Sequence, residues 1–430
     1  MNHITSGGQS EGKILKIFQL SIINLNDFFR GKLNIHNGVG GSITSVIADL
    51  ESIWSFAIEK YLNISVNDLK NYKAVLTIPD VYNRNHVKHL IDLLINGLKF
   101  ESCIVLLESL CSTFGAGLSY ACVVDCGDQK TSICCVEDGF SSRYTRLTMD
   151  FGGNDITQLF YYLIKQRNFP FASCKPQSRI CGVLLQELKE NCCHVNLDIC
   201  DVQQKQFTVQ IPEQPALSYT FFVGDECMLA PLALFYPELF ALTNVNNRIH
   251  ILHRNEGDPD DPFDENYLIQ TKRKYGETIE AGGQTGDTGN ADQAELDELD
   301  QADVSTNEKE ISTEMLLGID QAILQCIDRC DSDEIKRKMY SCILITGGGM
   351  SFVGIDKWLH SRLSMQIPLQ YRGQQIDIIV KPKDTDPRIL TWKGATLVCL
   401  LDTAQEMWMN KSEWEKSSIR ILREKASFVY

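Results

Sequence analysis

Two β-branched, apolar runs in this chain each stop at a glycine turn, and that pattern restricts the fold more than any other feature. "VVDCGDQKTSICCVEDG" at 123–139 places a Gly-Asp-Gln-Lys turn between two such runs and reads as a β-hairpin. "CILITGGGMSFVGIDKWLHSRL" at 342–363 reads as strand, glycine turn and helix. Segments of helical period lie between and around them. "GGSITSVIADLESIWSFAIEKYL" starts at a Ser42 N-cap and carries an apolar stripe of Ile43, Val46, Ile47, Leu50, Ile53, Trp54, Ala57, Ile58 and Tyr61. "KAVLTIPD" and "SCIVLLES" are buried-strand patterns on either side of the helical "NRNHVKHLIDLLINGL". "NDITQLFYYLIKQRNF" is a further helix, with Asn154 as its expected N-cap. Strands alternating with helices specify an α/β fold.

The chain has 430 residues, enough for two or three domains, and an ordinary 43% hydrophobic and 23% charged content. No apolar run reaches the length of a membrane span, and "MNHITSGGQSEGK" lacks the basic-then-apolar order of a secretory signal. The formal charge of −15 is concentrated in one place: residues 255–310 hold 17 acidic and 4 basic residues, which leaves the rest near −2. This Gly-rich, acidic segment is expected to be disordered. It is either a passive linker or an acidic surface that attracts basic partners such as histones.

The 16 cysteines sit mostly inside apolar runs ("ICCVED", "NCCHVN", "LVCLLD"), the placement of reduced core residues rather than of a disulfide framework. The pairs Cys122/Cys126, Cys326/Cys330, His86/His89 and His250/His253 are not matched by second pairs at the spacing of a zinc site.

Two motifs could carry chemistry. In "DCGDQKT", Asp125 at a strand end can face a metal-bound phosphate, and Gly127 allows close backbone approach. The bland alternative is a hairpin turn. In "TGGGMSF", Gly347, Gly348 and Gly349 remove every Cβ before a helix N-terminus, opening the backbone to a flat ligand or a phosphate, or simply making a tight turn. Neither the P-loop nor the dinucleotide-binding pattern is present.

Taken together, and in order, these motifs resemble the actin family, whose fold is shared with sugar kinases and Hsp-seventy chaperones. "VVDCGDQKT" is similar to the family's second phosphate-binding hairpin and "RLTMDFGGNDITQLF" to the segment that follows it. "LKENCCHVNLD" resembles the adenine-side helix, "LITGGGMSFVGIDKWL" the adenosine loop, "WKGATLVCLLD" a late helix and "DLESIWSFAIEKYL" an early one. "VYNRNHVKHL", "GDQKTSICCVEDG" and "EWEKSSIRILREKASFVY" resemble the family's nuclear branch of actin-related proteins, subunits of Ino-eighty-type chromatin-remodelling complexes.

The resemblance implies two lobes around a nucleotide cleft. Residues 30–116 with 380–430 would form the first lobe, 117–253 with 311–379 the second, and 254–310 an insertion. It implies ATP with magnesium: Asp125, Gly127 and Asp128 on the phosphate and metal side, Lys189, Glu190 and Gly347 to Gly349 on the adenosine side. For Lys189 and Glu190 a solvated helix face is the alternative. The C-terminal helix with Trp414, Ile419, Ile421 and Leu422 is expected to be packing.

Three departures bear on activity. The family's first phosphate loop has no counterpart upstream of Arg30, so residues 1–29 read as a replaced or truncated start and the first lobe as incomplete. Glu108 occupies the position of the water-orienting glutamine, where its charge would repel the γ-phosphate. Gln129 replaces a hairpin glycine. The expected function is a non-motor scaffold, docking with actin and a second actin-related subunit on a helical segment of the remodelling motor. It would act in the nucleus near nucleosomes and linker DNA, in transcription regulation and DNA repair. A weak ATPase of the same fold is the alternative. No basic nucleic-acid face is evident from composition.

Overall fold

The computed structural model describes residues 28–30, 32–199, 201–210, 215–243, 249–251, 317–373 and 375–426. The acidic segment 254–310 and most of residues 1–29 lie outside them. Two compact units divide the chain: Met1–Gly117 with Leu390–Tyr430, and Leu118–Ile389.

Strands β1 (Phe28–Phe29) and β2 (Lys32–Leu33) precede helix α1 (Ile43–Leu62). Strand β3 (Lys73–Ile78), helix α2 (Arg84–Asp92), strand β4 (Ser102–Leu107) and helix α3 (Glu108–Ala116) follow. The second unit opens with β5 (Tyr120–Cys126), β6 (Thr131–Glu137), β7 (Phe140–Ser141) and β8 (Leu147–Met149). Helices α4 (Gly153–Gln166) and α5 (Arg179–Cys192) lead to the hairpin β9 (Gln203–Val209) and β10 (Leu217–Val223). Then come α6 (Glu226–Leu232), β11 (Ile249–Ile251), α7 (Ile319–Asp328), α8 (Asp333–Ser341), β12 (Cys342–Thr346), α9 (Ile355–Gln366) and β13 (Asp377–Ile379). The chain returns to the first unit with α10 (Leu390–Cys399), β14 (Met409–Asn410), α11 (Lys411–Ser417) and α12 (Leu422–Lys425).

In the first unit, β3 and β4 pair in parallel and β14 adds to β4 antiparallel. A parallel pair needs a crossover, and α2 supplies it. All six residues of β4 are buried, which explains its unbroken apolar run. Ser42 caps α1, its hydroxyl accepting from the Ser45 N–H at 3.3 Å. The stripe of α1 buries Val46, Leu50, Trp54 and Ile58, whereas Tyr61 at the end of the expected stripe is 53% exposed. Trp414, Ile421 and Leu422 are buried, and the Trp414 indole donates to Asp92 at 3.3 Å, so this C-terminal segment is packing.

The second unit is built on a seven-stranded sheet ordered β11-β8-β6-β5-β12-β13, with β7 beside β6. β5 and β6 form the expected antiparallel hairpin, and β12 lies parallel to β5 with Thr346 opposite Asp125. Both glycine turns therefore leave the same end of adjacent strands. Residues 380–389, expected in the first lobe, belong to the second unit. The reason is local: the Pro387 carbonyl accepts from the Gly347 N–H at 3.3 Å and from the Thr346 hydroxyl at 3.0 Å, which holds this segment to the end of β12. Among the described residues, no single helix is long and apolar enough to cross a membrane.

Candidate functional site

The site begins with the backbone of the β5–β6 turn. The Gly127 N–H donates to the Lys130 carbonyl at 2.9 Å and closes the turn. Two other loops are sewn onto it. The Gly349 N–H donates to the Cys126 carbonyl at 2.8 Å, the Gly153 N–H to the Gly127 carbonyl at 2.9 Å and the Asn154 N–H to the Asp128 carbonyl at 2.7 Å. Two further segments thus share one short stretch of hairpin.

The glycines of "TGGGMSF" do different jobs. Gly347 adopts φ +80°, and a Cβ there would overlap the Cys126 carbonyl. A Cβ on Gly349 would lie 2.6 Å from the Gly127 carbonyl. Both are required by loop packing. Gly348 differs: a Cβ would meet only the methylenes of Arg388 at 3.4 Å, so its bare face is the one left for a ligand. Gly152 and Gly153, in the quoted "DFGGND", were not among the expected site residues, yet a Cβ on Gly152 would sit 2.7 Å from the Asp128 carbonyl. Asn154 is not the N-cap of α4. The helix starts at Gly153, and the Asp155 carboxylate reaches back to accept from the Gly152 N–H at 2.9 Å.

Asp125 is half-buried at the end of β5, and Asp128 projects from the turn. Lys189 is 7% exposed, so the solvated-face alternative fails for it. Its ammonium donates to the Gly153 carbonyl at 2.9 Å. Burial lowers the Lys189 amine below its ordinary range, and the Asp128 carboxylate opposes that shift. Much of Asp128 is open to solvent, but protein packed round its carboxyl raises it; Lys189 pulls it down and Asp155 pushes it up. Lys189 therefore acts on the hairpin side of the site.

Glu190 points elsewhere, as adjacent helical residues must. It is exposed, accepts from Gln186 at 3.0 Å and lies within electrostatic reach of Arg388. Arg388, which sequence reasoning missed, is clamped by Asp386 through Nη2 at 2.8 Å and Nε at 3.1 Å, with its methylenes beside Gly348. Glu108 belongs to the first unit, where it opens α3; a carboxylate there complements the helix dipole.

This donor set fits a nucleotide with its metal. Two carboxylates, one at the end of β5 and one on the turn that follows it, suit a hard cation that keeps most of its waters, Lys189 supplies positive charge, and Gly348 leaves a bare backbone face. Asp125 and Asp128 would hold magnesium, Gly127 and Lys189 the phosphate side, and Glu190, Arg388 and Gly348 the nucleoside side.

Comparison with known proteins agrees with this architecture. A family model described as Actin matches residues 19–427. The chain is 42% identical to actin-related protein 8 of Salmo salar over 93% of this chain and 70% of that one. Identity to the Aedes aegypti protein of the same name is 44%, over 93% and 73%. To the Homo sapiens protein it is 41%, over 93% and 70%. A solved structure described as human actin-related protein Arp8 in its ATP-bound state matches with a TM-score of 0.78 at 40% identity, covering 94% of this chain and 70% of that one. With an actin-like sheet, the two glycine loops at one end of it and a match along most of its length, this chain belongs to the actin family, and its relatives include the actin-related protein 8 group.

Proposed function

We propose that this chain is a non-motor scaffold subunit of a nuclear chromatin-remodelling complex and holds ATP as a structural ligand. The observation that carries the reading is the assembled donor set of Asp125, Asp128, Lys189 and bare Gly348, in a chain whose solved relative is described as ATP-bound. When bound, magnesium and triphosphate would supply the cation and the anion that this set lacks. Asp125 and Asp128 would orient the metal's waters, and the buried Lys189 ammonium would sit against the negative charge. Water activation is the weak link. Glu108 stands where the family resemblance expects a neutral group to orient the attacking water, and a carboxylate there opposes the charge that builds in phosphoryl transfer. The partners proposed with this role are those that the family resemblance of the sequence implies: a helical segment of the remodelling motor, actin, a second actin-related subunit, and nucleosomes with linker DNA.

The test has two arms. Acid extraction of the purified chain should release close to stoichiometric ATP, and a pull-down with the motor's helical segment should retain the chain. A multiple-turnover assay should stay far below about 1 per second, the lower end for kinases. Turnover at that rate would favour the alternative, an ATPase of the same fold. Failure of the pull-down removes the scaffold reading.

A further inference from the structure

The core of the second unit holds a cluster of another kind. Cys122 on β5 and Cys135 on β6 are direct cross-strand partners. The Cys135 sulfur lies 3.6 Å from that of Cys326 on α7. The sulfurs of Cys122, Cys135 and Cys326 all lie within 4.8 Å of one another. Cys330 follows Cys326 by four residues, about one turn further along the chain, and is buried in the same core. None of the four is more than 4% exposed.

Reduced cysteines are common in cores, but the convergence of three sulfurs from three separate elements, with a fourth buried cysteine about one turn on, is more than packing requires, since Val or Ala would fill the same space. The spacing is chemically specific. Four sulfurs about 2.3 Å from one zinc ion stand about 3.8 Å apart at tetrahedral geometry; the Cys135–Cys326 separation of 3.6 Å meets this, the Cys122 sulfur lies within 4.8 Å of both, and Cys330 would move in to complete the set.

We propose that Cys122, Cys135, Cys326 and Cys330 form a closed structural zinc site that pins α7 to the β5–β6 hairpin. Soft thiolates favour a thiophilic ion, and four protein ligands with no open position are the pattern of a structural rather than a catalytic site. Each Zn–S bond forms from a sulfur lone pair as the S–H proton leaves to solvent, and no electron is transferred. Because the site is sealed, the ion would enter during folding, and its binding energy would add to the stability of the unit. On β5, Asp125 lies three residues beyond Cys122, so the site would also stiffen the base of the phosphate turn.

The experiment is elemental analysis of the full chain purified without chelators, together with expression in cobalt-supplemented medium. About one zinc per chain is expected, and the cobalt form should show the intense visible bands of a tetrahedral thiolate site. Cys135→Ser and Cys326→Ser should each lower the metal content at least tenfold, while Cys342→Ser, a buried cysteine on β12, should keep it. Should either variant fail to fold, the wild-type metal content and cobalt spectrum still decide. Metal-free wild-type protein without cobalt bands overturns the proposal. Full zinc content in a folded Cys135→Ser/Cys326→Ser double variant overturns it too, as does a Cys135–Cys326 disulfide in native protein.

Discussion

Gly347 and Gly348 are neighbours in sequence with opposite requirements. Gly347 has φ +80° and no room for a Cβ against the Cys126 carbonyl. Gly347→Ala should destabilise the second unit by about 2–4 kcal/mol, combining left-handed strain with a backbone clash. Gly348→Ala should cost less than about 1 kcal/mol, because only flexible Arg388 methylenes must yield, yet it should weaken ATP binding. Urea denaturation and calorimetric titration of the two variants separate folding from ligand contact. The charges at Asp128 and Lys189 give a pH prediction. Asp128 is raised in the fold, so its contribution to stability is fully present below the unfolded carboxyl value of about 4 and is lost as pH rises through its folded value. Asp128→Asn should therefore raise the urea midpoint of nucleotide-free protein at pH 7 and flatten its dependence through the acid range. Lys189 is lowered, so its cost is relieved only as alkaline pH passes through its folded value towards the ordinary amine value. The glycines, the hairpin and Asp125 were legible as residue types in a pattern. The burial of Lys189 was not, because one charged residue on an amphipathic helix gives no sign of which neighbour will cover it.

Among the elements, α3 and α10 make the tightest crossing in the first unit. A Cβ on Gly394 would overlap the Cys111 carbonyl, and one on Gly115 would overlap the Leu390 carbonyl. Gly394→Ala should destabilise that unit by more than about 3 kcal/mol, since backbone rather than side chain must move. At the start of α11, Asn410 Oδ1 accepts from the Glu413 N–H at 2.9 Å, and the Glu413 carboxylate accepts from the Asn410 N–H at 3.1 Å. Asn410→Ala should cost about 1 kcal/mol, read from the thermal midpoint. Such local signals are legible because they act over three or four residues, as at Ser42. The misassigned start of α4 shows the limit: Asn154 is a good capping residue, but the loop contact of Gly152 with the hairpin put the helix start earlier and left the reach back to Asp155.

For the whole molecule, ligand linkage and charge distribution set the expectations. ATP with magnesium at one hundred times its dissociation constant should stabilise the fold by about 2.7 kcal/mol, seen as a concentration-dependent thermal shift that Asp125→Asn abolishes. Residues 255–310 are bracketed by β11 and α7 of the same unit. Deleting them should leave the thermal midpoint within about 2 °C while removing most of the net charge, and any affinity for histones should fall with it.

Local chemistry in the sequence by itself determined the α/β class, the strand ends that carry glycine turns, the family resemblance and the concentration of acidity in one segment. These features depend on residue type, short-range periodicity and composition, which need no partner to be read. Tertiary structure alone decided that Lys189 faces the hairpin, that Gly347 and Gly349 serve packing while Gly348 stays open, and that residues 380–389 join the second unit. It alone brought the sulfurs of Cys122, Cys135 and Cys326 together, with Cys330 buried in the same core. Each of these depends on contacts between segments far apart in the chain, and spacing along a sequence does not encode which buried side chains will meet across a sheet.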